Sequence, residues 1–187
     1  TFFHLRRDFI LMLQYTLEDL GHDVTLSGAY VDTHRFNLLV NAYWLGPDSF
    51  SAIHDSGAAF AHVNTEVIAQ DLINFNPAHG NYLDTYLPSL QRGAFVWDVI
   101  MDNLPDHARH GTRAHFLRWG WHPRLEDIEH RAAKDLDFYF FGFLSPRRRE
   151  LLQALQEAGL QGLSDHSCPY FLRTDRIARA RVQLNLV

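Results

Sequence analysis

The sequence predicts an α/β protein: Rossmann-like parallel sheets with helices on both faces. Three observations carry that expectation. Short apolar runs with few charges, at Phe36–Tyr43, Ala58–Val63 and Ala94–Val99, have the length and composition of strands buried on both faces. Helical periodicity and turn signals separate such runs, with Gly46-Pro47, Asn76-Pro77, His79-Gly80 and Leu104-Pro105 marking loops. A second strand–turn–helix, opening at Asp137, then restarts the pattern.

The opening segment reads as a helix. Leu5, Phe9, Leu13, Leu17 and Leu20 recur every three or four residues, and Gly21 stands where a left-handed cap is wanted. Asp23–Ser27 reads as a short strand after it. Tyr82–Leu90 carries Leu83, Tyr86, Leu87 and Leu90 on one helical face, and His115–Trp119 reads as a further strand. Asp137–Phe143 is the next strand. Ser145 is a good N-cap, Pro146 suits the first helical position, and Leu151, Leu152, Leu155 and Ala158 form the buried stripe before Gly159. A helix around Asp175–Ala180 and a strand over Arg181–Val187 complete the chain. The charged stretch from Pro123 to Lys134 marks a boundary. The expected organisation is a first Rossmann-like domain over 1–123, a linker over 124–134 and the start of a second domain over 135–187.

The bulk properties exclude several classes. The chain has 187 residues, 47% hydrophobic and 21% charged, which is the composition of a globular protein. A net charge of −5 argues against a protein that holds nucleic acid through its phosphates. No apolar run approaches the roughly 20 residues that span a bilayer. Arg6, Arg7 and Asp8 interrupt any reading of the first residues as a signal peptide. Cys168 is the single cysteine, so neither an intrachain disulfide nor a cysteine zinc cluster can form, and a reducing, cytoplasmic setting is expected.

The most informative segment is Phe141-Gly142-Phe143-Leu144-Ser145-Pro146-Arg147-Arg148-Arg149. A glycine at a strand end permits close approach, and the helix that follows offers unpaired N–H groups and a positive dipole end, which favour an anion. Arg147 and Arg148 oppose that dipole, so a bound phosphate would give them a reason to be there. The alternative is that they pair with Asp or Glu of a neighbouring element.

The run DLDFYFFGFLSPRRRELLQALQEAGL resembles the opening strand and helix of the donor domain in bacterial glycosyltransferase-like proteins of the spore-maturation CgeB type, within the wider GT-B class. RTDRIARARVQLNL, LEDLGHDVTLS, HVNTEVI and AFVWDVIMDN are similar to other segments of that family. The resemblance implies two Rossmann-like domains facing each other, with the nucleotide-sugar donor on the C-terminal one and the acceptor on the N-terminal one. It implies a GT-B-like arrangement whose second domain is incomplete at Val187 and whose first strand is missing before Thr1. Gly142, Ser145, Arg147 and Arg148 carry over as residues near the donor diphosphate. The class generally needs no metal or other cofactor, because a helix dipole and basic side chains stabilise the leaving diphosphate. The implied activity is transfer of a sugar from a nucleoside diphosphate to an unknown hydroxyl acceptor. The alternatives are a noncatalytic relative or fragment that binds a nucleotide or a partner, and a phosphate-binding regulator of flavodoxin-like type.

Sugar transfer with inversion needs a base for the acceptor hydroxyl. Glu66, Asp98 and His122 lie at or just past predicted strand ends, where α/β sites collect, and Glu66 leads because it follows a buried strand in a family-like segment. His122 falls at the expected hinge. Trp119 and Trp121 are candidates for stacking on a sugar, whereas Trp97 sits in an apolar strand and reads as core. His107, His110 and His115 have a spacing that invites a metal, but Arg109 and Arg113 would repel a cation, and no metal site is expected.

Overall fold

Parallel strands dominate the computed structural model, which describes residues 2–74, 86–129, 131 and 133–186. The chain divides into two units, Thr25–Gly120 and Thr1–Val24 together with Trp121–Val187. The start of the helix expected at Tyr82, with the turn signals at Asn76-Pro77 and His79-Gly80, lies outside the described residues.

In the Thr25–Gly120 unit, β1 (Phe36–Val40), β2 (Ala59–Asn64), β5 (Val96–Asp98) and β6 (Ala114–Phe116) form one sheet in the order β1-β2-β5-β6, every pair parallel. Strand β2 is central and buried from Phe60 to Asn64, as a strand covered on both faces must be. Its register sets Val63 against Val40 and Asn64 against Asp98, so the ends of β2 and β5 coincide. The core joins Tyr43, Phe50 of α2 (Pro47–Asp55), Tyr86, Leu87 and Leu90 of α3 (Leu87–Arg92) and Val96. A small antiparallel hairpin pairs β3 (Ile68–Ala69) with β4 (Leu72–Ile73), and α4 (Leu104–Arg109) leads into β6. The strand expected over Asp23–Ser27 does not form. Leu26 is exposed and no sheet accepts its apolar side.

In the other unit, β7 (Leu136–Phe141) lies between β8 (Gly162–Asp165) and β9 (Ala180–Leu184), all parallel, in the order β8-β7-β9. The chain steps to one side of β7 through α5 (Pro146–Glu157), then crosses back through α6 (Tyr170–Arg179). Right-handed crossovers in opposite directions put those helices on opposite faces. The side chains agree: Leu152 and Leu155 pack on Phe138 and Phe140, whereas Ile177 packs with Tyr139 and Phe141. Gly162 fits under the Phe138 ring, which a Cβ would meet at 2.1 Å. Ser145 caps α5 by accepting a hydrogen bond from the Arg148 amide, and Gly159 ends it at φ +86°.

Helix α1 (Phe2–Asp19) belongs to this second unit, although the sequence placed it in the first domain. Its polar face explains the assignment. Arg7 lies 3.5 Å over the Tyr170 ring, Asp8 pairs with Arg173, Glu18 pairs with Arg124, and Asp19 meets His122. Among its described side chains, Phe9, Leu11, Met12 and Leu13 are buried. Among the described residues, no helix is long and apolar enough to cross a membrane.

Candidate functional site

The matched ends of β2 and β5 bring two of the three acid–base candidates together. Asp98 closes β5 fully buried, and its carboxylate is surrounded by donors. Asn64 Nδ2 donates to it at 2.9 Å, Asn103 Nδ2 at 3.0 Å, His107 Nε2 at 2.8 Å and the Ile100 amide at 2.8 Å. Asn64 and Asn103 each use Nδ2 a second time, donating to the Glu66 backbone carbonyl at 2.8 Å. Asp98 therefore orients the two amides that fix the Glu66 main chain. A buried carboxylate is tolerable only when donors replace its water, and here they do.

The Glu66 side chain is held from outside that network. Asn41 Nδ2 donates to Oε1 at 3.2 Å and Asn74 Nδ2 to Oε2 at 2.6 Å. Both asparagines are left-handed, with φ of 50° and 55°, a conformation that Asn adopts more readily than most residues. Asn41 follows β1 and Asn74 follows β4, so one carboxylate ties the ends of those two strands to the segment just past β2. Glu66 is only 7% exposed. The four asparagines were not expected from the sequence. The available signal was an asparagine at or just past the ends of β1, β2 and β4.

His122 lies elsewhere, in the second unit. Its Nε2 is 2.9 Å from Asp19 Oδ2 and its Nδ1 accepts from the Arg124 amide, capping the turn Pro123–Leu125. Nε2 thus ties α1 to this segment, and Nδ1 holds the turn that follows.

The three histidines of the metal-like spacing separate. His107 meets Asp98, His110 meets Asp71 at 3.1 Å, and exposed His115 sits beside Phe95. Among the described residues, no three or more His, Cys, Asp or Glu side chains gather in a metal-holding group. Trp119 and Trp121 are both exposed, one in each unit, and half-buried Trp97 packs against Phe95 at 5.1 Å.

At the end of β7 the structure separates the four donor-side residues by role. Gly142 has φ 156°, which disfavours a side chain, and a Cβ there would stand 3.1 Å from the Phe140 ring. Backbone and packing thus account for this glycine without a ligand. Ser145 is the cap. Arg148 turns back to donate from Nη1 to the Phe143 carbonyl at 2.9 Å, so it braces the loop. Arg147 is exposed, and among the described residues neither it, Arg148 nor Arg149 meets a carboxylate. The contrast within the unit is sharp, because Arg124, Arg131, Arg173, Arg176, Arg179 and Arg181 each have one. In the first turn of α5, the Arg148 and Arg149 amides bond to Ser145, leaving the Arg147 amide open among the described residues.

Beside this loop, Tyr139 donates to Asp165 Oδ2 at 2.9 Å and Arg176 pairs with the same oxygen. Burial, and then the Asp165 carboxylate, push the Tyr139 phenol well above its ordinary range, so it remains a donor. Comparison of the chain with protein-family models, with curated proteins and with solved structures finds no match in any of the three.

Proposed function

We propose that the chain binds the diphosphate of a nucleotide sugar at the start of α5 and acts as a glycosyltransferase-like protein of GT-B type. In this reading the Thr1–Val24 and Trp121–Val187 unit is the donor side, and Thr25–Gly120 the acceptor side. The observation that carries it is the run of three arginines without carboxylate partners in the first turn of α5, beside an open amide. Unpaired cations at the positive end of a helix are unfavourable by themselves, and an anion there converts the cost into binding. Glu66 is the acceptor-side base in this reading. Asp98 is wholly enclosed, and both His122 ring nitrogens are engaged within the other unit, whereas Glu66 stands at the end of β2 with 7% of its surface exposed.

A second reading is binding without turnover. It is favoured by the engagement of both Glu66 oxygens, because a base must receive a proton from substrate.

Calorimetric titration with UDP, GDP, TDP and inorganic pyrophosphate tests the anion site. Arg147→Ala is expected to weaken diphosphate binding by roughly 1.5–3 kcal/mol, the range for a hydrogen bond to a charged group, with the melting temperature unchanged. Arg148→Ala is expected to weaken it too, while also loosening the loop through Phe143. Wild-type affinity in Arg147→Ala would remove the assignment. Consumption of the donor whose diphosphate binds, abolished in Glu66→Gln, would then separate the transferase from the binding protein.

A further inference from the structure

The loops after β7 and β8 are joined side by side. The Gly142 amide donates to the Asp165 carbonyl at 2.8 Å, continuing the strand pairing past Phe141 and Asp165. This sets Phe143 against His166, ring centroids 5.4 Å apart and planes at 77°. Phe143 is 64% exposed and His166 is exposed as well. The Phe143 backbone is nevertheless held, since its carbonyl accepts from both the Arg148 guanidinium and the Ser145 amide. An aromatic ring on a braced loop, presented to water beside arginines that lack carboxylate partners, matches a ligand with a flat apolar part and an anionic part.

We infer that Phe143 and His166 form the stacking surface for the base of a nucleoside diphosphate, with Asp165 as acceptor for a ribose hydroxyl. This inference rests on the proposed diphosphate site and specifies which side of it the nucleoside occupies. Asp165 stands between the two aromatic loops at the end of β8. Its contacts with Tyr139 and Arg176 both fall on Oδ2, and among the described residues Oδ1 takes no hydrogen bond. In a β–α–β unit that holds phosphate at the helix start, an acidic residue at the end of the second strand is placed to meet the ribose. Stacking is tolerant of base identity, because every base has a π-face.

The test is titration of the full chain and its variants with UDP, 2′,3′-dideoxy-UDP, GDP and inorganic pyrophosphate. Phe143→Ala is expected to lower nucleoside diphosphate affinity by roughly 5- to 150-fold, the range for losing one base–aromatic stack. Pyrophosphate affinity is expected to stay at the wild-type value, and Phe143→Trp to restore nucleotide binding. Dideoxy-UDP is expected to bind more weakly than UDP. If Phe143→Ala and His166→Ala bind the nucleotides as wild type does while Arg147→Ala loses them and pyrophosphate alike, the stacking surface is refuted and the diphosphate site stands. If the wild-type chain binds neither pyrophosphate nor any nucleotide, both fall together.

Discussion

His62 shows how much a single buried residue can hide from a sequence reading. It sits in the middle of β2, fully enclosed, with Nε2 3.1 Å from the Ser89 carbonyl. The Ser89 hydroxyl lies at the same 3.1 Å from Nε2, so one serine supplies both of that nitrogen's partners. Burial pushes the imidazole down from 6.5 to about 4, which keeps it neutral in the folded chain. The unfolded chain takes up a proton between those two values and the folded chain does not. Stability contributed by neutral His62 is therefore present above pH 6.5 and lost as pH falls towards 4, by about 3 kcal/mol in all. Urea denaturation of wild type and His62→Gln across that window checks it: the difference between the two is expected to shrink or reverse as pH falls, and a constant difference would refute it. No periodicity distinguishes this histidine from His107, His110 or His115. Their separate fates depend on Ser89, Asp98, Asp71 and Phe95, and on which strand ends the sheet brings together.

At the scale of elements, the strands that could be read from sequence were those that are buried without interruption, and their observed spans agree within a few residues at β1, β2, β5 and β7. The α5 segment was legible down to its cap because Ser145, Pro146 and Gly159 act locally. Proline reads two ways. Pro47 and Pro105 read as loop markers, yet each lies in the first turn of a helix, where the missing N–H is no loss. The β3–β4 hairpin was invisible for a different reason: it turns on Gln70 and Asp71, both at positive φ, without the glycine that usually announces such a turn. Nor could the sequence distinguish an accessible Asp98 from an enclosed one. Its four donors predict that Asp98→Asn, which places an amide N–H against donors, destabilises the fold by about 3 kcal/mol or more. A catalytic base at that position would behave oppositely, losing turnover with its denaturation midpoint intact, so urea melting of the variant decides the point.

For the molecule as a whole, chain order and structural membership differ at α1. The sequence showed an amphipathic helix but could not show which sheet it serves, because Leu, Phe and Met stripes fit any apolar face. What assigns it are partners more than a hundred residues away, among them Asp127, Arg124 and Arg173. A discontinuous unit of this kind has a consequence for stability. Phe9 is 2% exposed on α1, and replacing it by alanine removes a buried ring, which typically costs about 3–5 kcal/mol. That loss is expected to fall on the unit to which α1 belongs, since cooperative regions open separately. Native-state hydrogen exchange of Phe9→Ala should show reduced protection in β7, β8 and β9, with the amides of β1, β2 and β5 as protected as in wild type. Loss confined to β1, β2 and β5 would place α1 with the first sheet, as the order of the chain alone suggests, and would remove the anchoring role of Arg124 and Arg173.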